Sequence, residues 1–156
     1  LGNASGVLFS ALKAVAAETG QFPTTCLVIC SKQSQEATSA AIEAAGYTND
    51  IIPLVMTNPY GGSDEIKPLI EQAREHLFKA ERVFVNITGG TTVMGLAAEK
   101  LAEEAKGLAR PVRRFGLIDR RNKQEQIEDP FQKGETFWLD EDQENDVKKA
   151  DTQAVG

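Results

Sequence analysis

A parallel, doubly wound α/β sheet is the fold class this sequence predicts, and three observations predict it. Short apolar runs of strand length alternate with longer segments of helical period. The connections between them are short, as in units where a helix follows each strand and crosses back over the sheet. The run Thr24–Cys30 is continuously apolar rather than alternating, which suits a strand covered on both faces. At 156 residues, 41% apolar and 26% charged, the chain fits one globular domain with a real core.

Each element has its own signal. "LGNASG" opens the chain as a Gly/Asn/Ser turn, and Val7, Leu8, Ala11, Leu12 and Val15 then form one helical stripe that stops at Gly20. After the strand Thr24–Cys30, Ser31 is placed to cap a helix whose small face is Ala37, Ala40, Ala41, Ala44 and Ala45, ending at Gly46. Ile51–Met56 reads as a strand, and Pro53 assigns it to an edge or to the strand's start. The loop "TNPYGGSDE" offers Ser63 as a cap, with Asp64 and Glu65 in the first turn of a helix striped by Ile66, Leu69, Ile70, Ala73 and Leu77. Arg82–Ile87 is the clearest strand, and Val93, Leu96, Ala97 and Leu101 stripe the helix after it. Arg113–Ile118 and Glu135–Leu139 complete the strands, and residues 141–156 form an acidic, polar tail to a domain of residues 1–140. The first helix has no strand ahead of it, so the first strand is expected upstream of Leu1, or lost or remodelled.

Composition narrows the function. A net charge of −6 argues against sequence-independent nucleic-acid binding, which needs a positive footprint. It leaves room for a small anion held by backbone amides, which carry no net charge. Cys26 and Cys30 fall four apart on one strand and face the same side, so they read as unpaired buried thiols of a reducing compartment. No apolar run is long enough to span a bilayer and no signal-peptide pattern occurs.

The chemistry is concentrated in two loops. In doubly wound sheets ligands sit at the carboxyl ends of the strands where strand order reverses. The loops there are "LGNASG" and "TGGTT", both glycine-rich and both feeding helix N-termini with free N–H groups and a partial positive charge. Gly89 and Gly90 permit positive φ and close approach, while Thr88, Thr91 and Thr92 can bind ribose hydroxyls or phosphate oxygens. The plainer reading is a tight turn with Thr91 or Thr92 as a helix cap. A P-loop is excluded because Leu96 stands where its lysine belongs, and no G-x-G-x-x-G follows a strand. Ser5 stands one place too late for a G-x-S-x-G nucleophile elbow. The lone His76 lies on a helix without companion ligands, so neither a metal nor another cofactor is expected. Arg120, Arg121 and Lys123 follow the strand Arg113–Ile118, either as a solvated loop or as reach towards a phosphate or a partner subunit.

These motifs together resemble the CARF domain, the CRISPR-associated Rossmann fold that senses cyclic oligoadenylates. The resemblance rests on "NITGGTTVMGLAAEKLA" (Asn86–Ala102), on "LGNASGVLFSALKAV" and on "FGLIDRRNKQEQIEDPFQKGE", and covers the chain to about Asp140. It implies a Rossmann-like doubly wound, mainly parallel sheet in a homodimer, with a cyclic ligand gripped at the two-fold axis. A four-membered adenylate ring is the expected ligand, with a six-membered ring as the other possibility. Single phosphodiester charges explain the missing lysine, because amides and hydroxyls suffice for them. By matching position, Asn3, Ala4, Ser5 and Gly6 line one side of the ring and Thr88, Gly89, Gly90, Thr91 and Thr92 the other. The loop Asn58–Gly61 is placed to cover an adenine, with Tyr60 as a stacking face.

The expected function is therefore a cyclic-oligoadenylate sensor of a type III CRISPR antiviral response. It would act in a prokaryotic cytoplasm, or at the cytoplasmic face of the inner membrane through a segment not present here, and would not bind DNA or RNA duplexes itself. The effector part that such domains serve is not expected within these residues; the expectation is that it lies upstream of Leu1 or that the protein stands alone. The alternative is a slow, metal-independent ring nuclease, for which Ser5, Thr91, Arg120 or Lys123 could stabilise the transition state. A third reading is a small nucleotide- or sugar-phosphate-binding enzyme.

Overall fold

The computed structural model describes residues 4–140. The elements run α1 (Ala4–Thr19), β1 (Thr25–Ser31), α2 (Gln35–Ala45), β2 (Asp50–Met56), α3 (Ile66–Lys79), β3 (Val83–Asn86), α4 (Thr92–Gly107), β4 (Val112–Ile118), α5 (Lys123–Glu128) and β5 (Glu135–Trp138). The strands form two sheets. β1 and β2 pair in parallel, while β3 and β4 pair in parallel and β5 closes antiparallel on β4.

Alternation along the strands sends side chains to opposite faces. Leu27 and Ile29 of β1, Ile52, Leu54 and Met56 of β2, and Val83 and Val85 of β3 join Val112 against α3 and α4. On the other face, Cys26 and Ile51 meet Phe9 and Leu12 of α1 and Ala41 and Ala45 of α2. Phe84, Phe115 and Trp138 meet Ala11, Ala14 and Val15, also of α1. Helices thus cover both faces, and α1 bridges the two sheets. Arg113 and Arg114 follow the same rule. The first pairs with Glu18 of α1 at 2.8 Å, the second with Glu99 of α4 at 3.0 Å and with Asp140.

Several expectations are met in detail. Pro53 lies exposed on β2, which pairs on one side only, so its missing N–H costs no ladder bond. Gly46 ends α2 at φ 72°, and the N–H groups of Gly46 and Tyr47 bond back to Glu43 and Ile42 at 3.1 Å. The cysteines are unpaired, and burial pushes the Cys26 thiol up to about 11.

Other expectations need correction. The single expected sheet is two, with no ladder between β1 and β3. α1 begins at Ala4, so Ser5 and Gly6 belong to its first turn rather than to a loop. Phe9 and Ala14 are buried beyond the expected stripe, because α1 packs against both groups of strands and not along one line. Leu96 is 53% exposed and Ala40 and Ala44 are exposed, since α4 and α2 turn those positions outward. Ser31 closes a 3-10 turn with Ser34 ahead of α2, and Ser63 opens a 3-10 turn ahead of α3. α5 interrupts what reads as a loop; Asn122 caps it by accepting from Glu125 N–H at 2.9 Å.

Candidate ligand site at the carboxyl ends of the strands

The turn after β3 is built from its own sequence. Asn86 Oδ1 accepts from the N–H of Thr88 at 3.0 Å and from its hydroxyl at 2.7 Å, which closes the chain just past the strand. Thr88 Oγ1 in turn accepts from Leu117 N–H at 3.2 Å and fixes the turn to β4. Gly89 and Gly90 follow at φ 86° and 76°, consecutive left-handed positions that favour glycine. Thr91 then caps α4, accepting from Met94 N–H at 3.3 Å. Leaving the strand this way leaves five successive amides, Gly89 to Val93, without a hydrogen bond among the described residues. They stand at the N-terminus of a 16-residue helix, whose dipole favours negative charge there.

Two further segments converge on this turn. The Thr91 hydroxyl donates to Pro59 O, which joins the loop after β2 to it. That loop is held from within. The Glu65 carboxylate accepts from the N–H and hydroxyl of Thr57 at 2.8 and 2.6 Å and from Asn58 N–H at 2.9 Å, and these bonds hold it below the usual carboxylate range. Asn58 Oδ1 accepts from Gly61 N–H at 3.2 Å, and Tyr60 stands 75% exposed with its ring free to stack. From the other side comes α1. A Cβ placed on Gly89 would lie 2.9 Å from Val7 Cγ1, so the first turns of α1 press against this glycine.

The structure thus brings Thr88, Gly89, Gly90, Thr91 and Thr92 together with the Asn58–Tyr60 loop and the start of α1 that holds Ser5 and Gly6. Ser5 is half-buried and Gly6 buried; Ala4 opens the helix, and Asn3 lies outside the described residues. The threonines divide. Thr88 and Thr91 have their hydroxyls engaged within the fold, whereas Thr92 is exposed and its hydroxyl makes no hydrogen bond among the described residues.

The arginines behave differently. Arg121 grips Asp119 with two bonds of 3.0 and 2.8 Å and donates to Asp129 O at 2.7 Å, which ties down the connection around α5. The Asp119 carboxyl is held below its usual value by this pair. Arg120 is paired with Glu135 at 2.7 Å, but the guanidinium is 72% exposed and the bond is cheap to exchange. Lys123 is exposed at the start of α5. The sequence by itself gives no individual site role to Asn86, Val7, Pro59 or Glu65. Only Asn86 carried a local signal, the Asn-x-Thr pattern of a side-chain-closed turn. The others matter through contacts made across the fold.

Among the described residues no group of three or more His, Cys, Asp or Glu side chains is placed to hold a metal ion, and no helix is long and apolar enough to cross a membrane. No family model matches the sequence, and no curated protein or solved structure matches it.

Proposed function

We propose that this domain is a sensor for cyclic oligoadenylate, cyclic tetra-adenylate first, of the CARF type suggested by its motifs, acting in antiviral defence as a homodimer. The observation that carries the reading is the row of amides from Gly89 to Val93 without partners among the described residues, with the Asn58–Tyr60 loop and α1 drawn up beside it. Amides so placed suit phosphodiesters, which carry one charge each and need neither lysine nor magnesium. Tyr60 suits an adenine face. Helices on both faces of parallel strands, with loops meeting at the strands' carboxyl ends, are what a Rossmann-like doubly wound sheet supplies. Occupancy would act on an effector through a difference in affinity between two conformations of the dimer.

Calorimetric titration with cyclic tetra-adenylate and cyclic hexa-adenylate tests this, with linear tetra-adenylate as the control and light scattering to read the dimer. Binding of one ring in preference to the linear form, at one ring per two chains, is the expected outcome. Binding of neither ring overturns the reading. Chromatography of the same mixtures over hours separates a sensor, which returns the ring intact, from a ring nuclease, which returns linear products.

A further inference from the structure

Among the described residues β1 and β3 each pair on one side only, and apolar clusters cover them on both faces. The ladder bonds show which backbone groups are spent. Thr24 O accepts from Asp50 N–H, so the alternate residues Cys26 and Val28 turn their backbone groups towards β2. Leu27 and Ile29 turn theirs away. In β3, Val83 N–H donates to Pro111 O at 2.9 Å and, just beyond the strand, Ile87 N–H to Phe115 O at 3.0 Å. That directs Val83 and Val85 towards β4 and leaves Phe84 and Asn86 facing away. The N–H groups of Leu27, Ile29, Phe84 and Asn86 make no hydrogen bond among the described residues.

These edges lie between helices. α1 packs over Cys26 and Ile51 at one point and over Phe84 and Phe115 at another, and below them Leu27, Ile29, Val83 and Val85 share one apolar cluster with α3 and α4. Four of these strand residues, Leu27, Ile29, Val83 and Phe84, are nonetheless only half-buried. Backbone groups enclosed by helices on both faces and left without partners are what folded proteins avoid.

We infer that the space between β1 and β3 is a slot for one extended apolar segment that runs parallel to both and leads directly into the N-terminal end of α1. Three observations select that occupant. The slot is flanked by strands of one direction, and the loops that follow β2 and β3 meet through Thr91 and Pro59, so both sheets end at the same side. The first turns of α1 stand at that side, against Gly89, where a parallel strand in the slot would finish. The hand of the connections agrees as well. β1 steps outward to β2 through α2, on the face that α1 also covers; β3 steps the opposite way to β4 through α4, on the other face. A slot strand that passed through α1 to β1 would step in the first direction with its helix on the first face, and so keeps the single hand that parallel units share. An antiparallel segment, or one from a second copy, has no such join to α1. The apolar cover above and below calls for an apolar segment.

The inference rests on backbone pairing and is independent of the ligand reading, since its test uses no nucleotide. The probe is the chain with the heptapeptide Thr-Val-Ile-Val-Val-Ile-Thr fused ahead of Leu1, compared with the unextended chain and with an extension carrying two prolines in place of the second and fourth residues. Residue-resolved amide exchange reads Leu27, Ile29, Phe84 and Asn86. In the strand extension these four amides should slow by about 100-fold or more, with a raised Tm, while the proline version matches the unextended chain. Equal protection of these four amides and of Cys26 and Val28 in the unextended chain would mean that the edges are already satisfied, and would overturn the inference. So would an extension that leaves the four amides fast in a folded chain, or one that protects them only as a dimer forms by light scattering.

Discussion

Two regions stand at the same end of the strands and use their donors in opposite ways. The stretch Gly89–Val93 has no charged side chain, yet leaves its five amides unspent among the described residues. The connection from Asp119 to Gly134 carries Arg120, Arg121 and Lys123, yet its main donor, Arg121, is spent on Asp119 and on the carbonyls of Glu125 and Asp129. The connection is also pinned to α1, where Gly134 N–H donates to the buried Ser10 hydroxyl at 2.8 Å and Phe131 lies against Phe9. Charge on the page is therefore a poor guide to an anion site. What counts is whether the fold has already used the donors, and here the neutral turn is the one left open.

The largest effect should come from breaking the open turn itself. Gly89→Val forces a β-branched residue to φ 86° and drives its Cβ to 2.9 Å from Val7. It should destabilise the domain by about 1–3 kcal/mol or more, read by chemical denaturation, and abolish ring binding. Gly46→Ala shares the positive φ but meets nothing within 4 Å, so it should cost about 1 kcal/mol and leave binding alone. Equal losses for both would show that the packing of α1 on the turn carries no weight.

Thr92→Glu sharpens the comparison by separating fold from ligand. An acidic residue in the first turn of α4 stabilises the helix by about 0.3–1 kcal/mol, while placing a negative charge beside the unspent amides. Ring affinity should fall at least about tenfold, or 1.4 kcal/mol, with Tm held or raised. Unchanged affinity would remove the turn from the site.

Arg121→Ala addresses the spent region and should lower Tm by a few degrees with little change in ring affinity. The acid limb should show the same link. The folded state holds the Asp119 carboxyl below its ordinary value of 3.8, so its contribution is complete above that value and is lost as pH falls through the lowered one. Asp119→Asn should flatten this part of the denaturation profile below about pH 4. The open turn has no titrating group, so ring affinity should stay level from about pH 5 to 8. The smallest effect is expected from Arg120→Ala. Its exposed pair with Glu135 should leave Tm unmoved, and affinity should drop no more than about threefold, as for one screened charge.

Much of this was legible in the sequence, for local reasons. The strands, the edge position of Pro53, the stop at Gly46, the cap at Thr91 and the paired glycines all follow from propensities and backbone permissions that act within a few residues. The misses share a cause too. Phe9 and Ala14 are buried because α1 touches two groups of strands, and Leu96 is exposed because α4 turns it away from both. No single stripe along a helix can announce either. α5 was readable from Asn122 and Glu125, a short cap pattern hidden in a polar stretch.

The sequence by itself determined where chain direction changes and where the backbone is free to expose its amides, since positive φ, caps and apolar period are set by neighbouring residues. Only the tertiary structure decided which donors stay available. Thr88 and Thr91 look alike to Thr92 on paper, but Asn86 and Leu117 engage the first, Pro59 engages the second, and Thr92 keeps its hydroxyl exposed. Those partners come from strands and loops up to 32 residues away in the chain. The Thr88 hydroxyl is spent locally on Asn86, but that of Thr91 is spent on a segment 32 residues away, and such contacts exist only once the helices have packed the strands together.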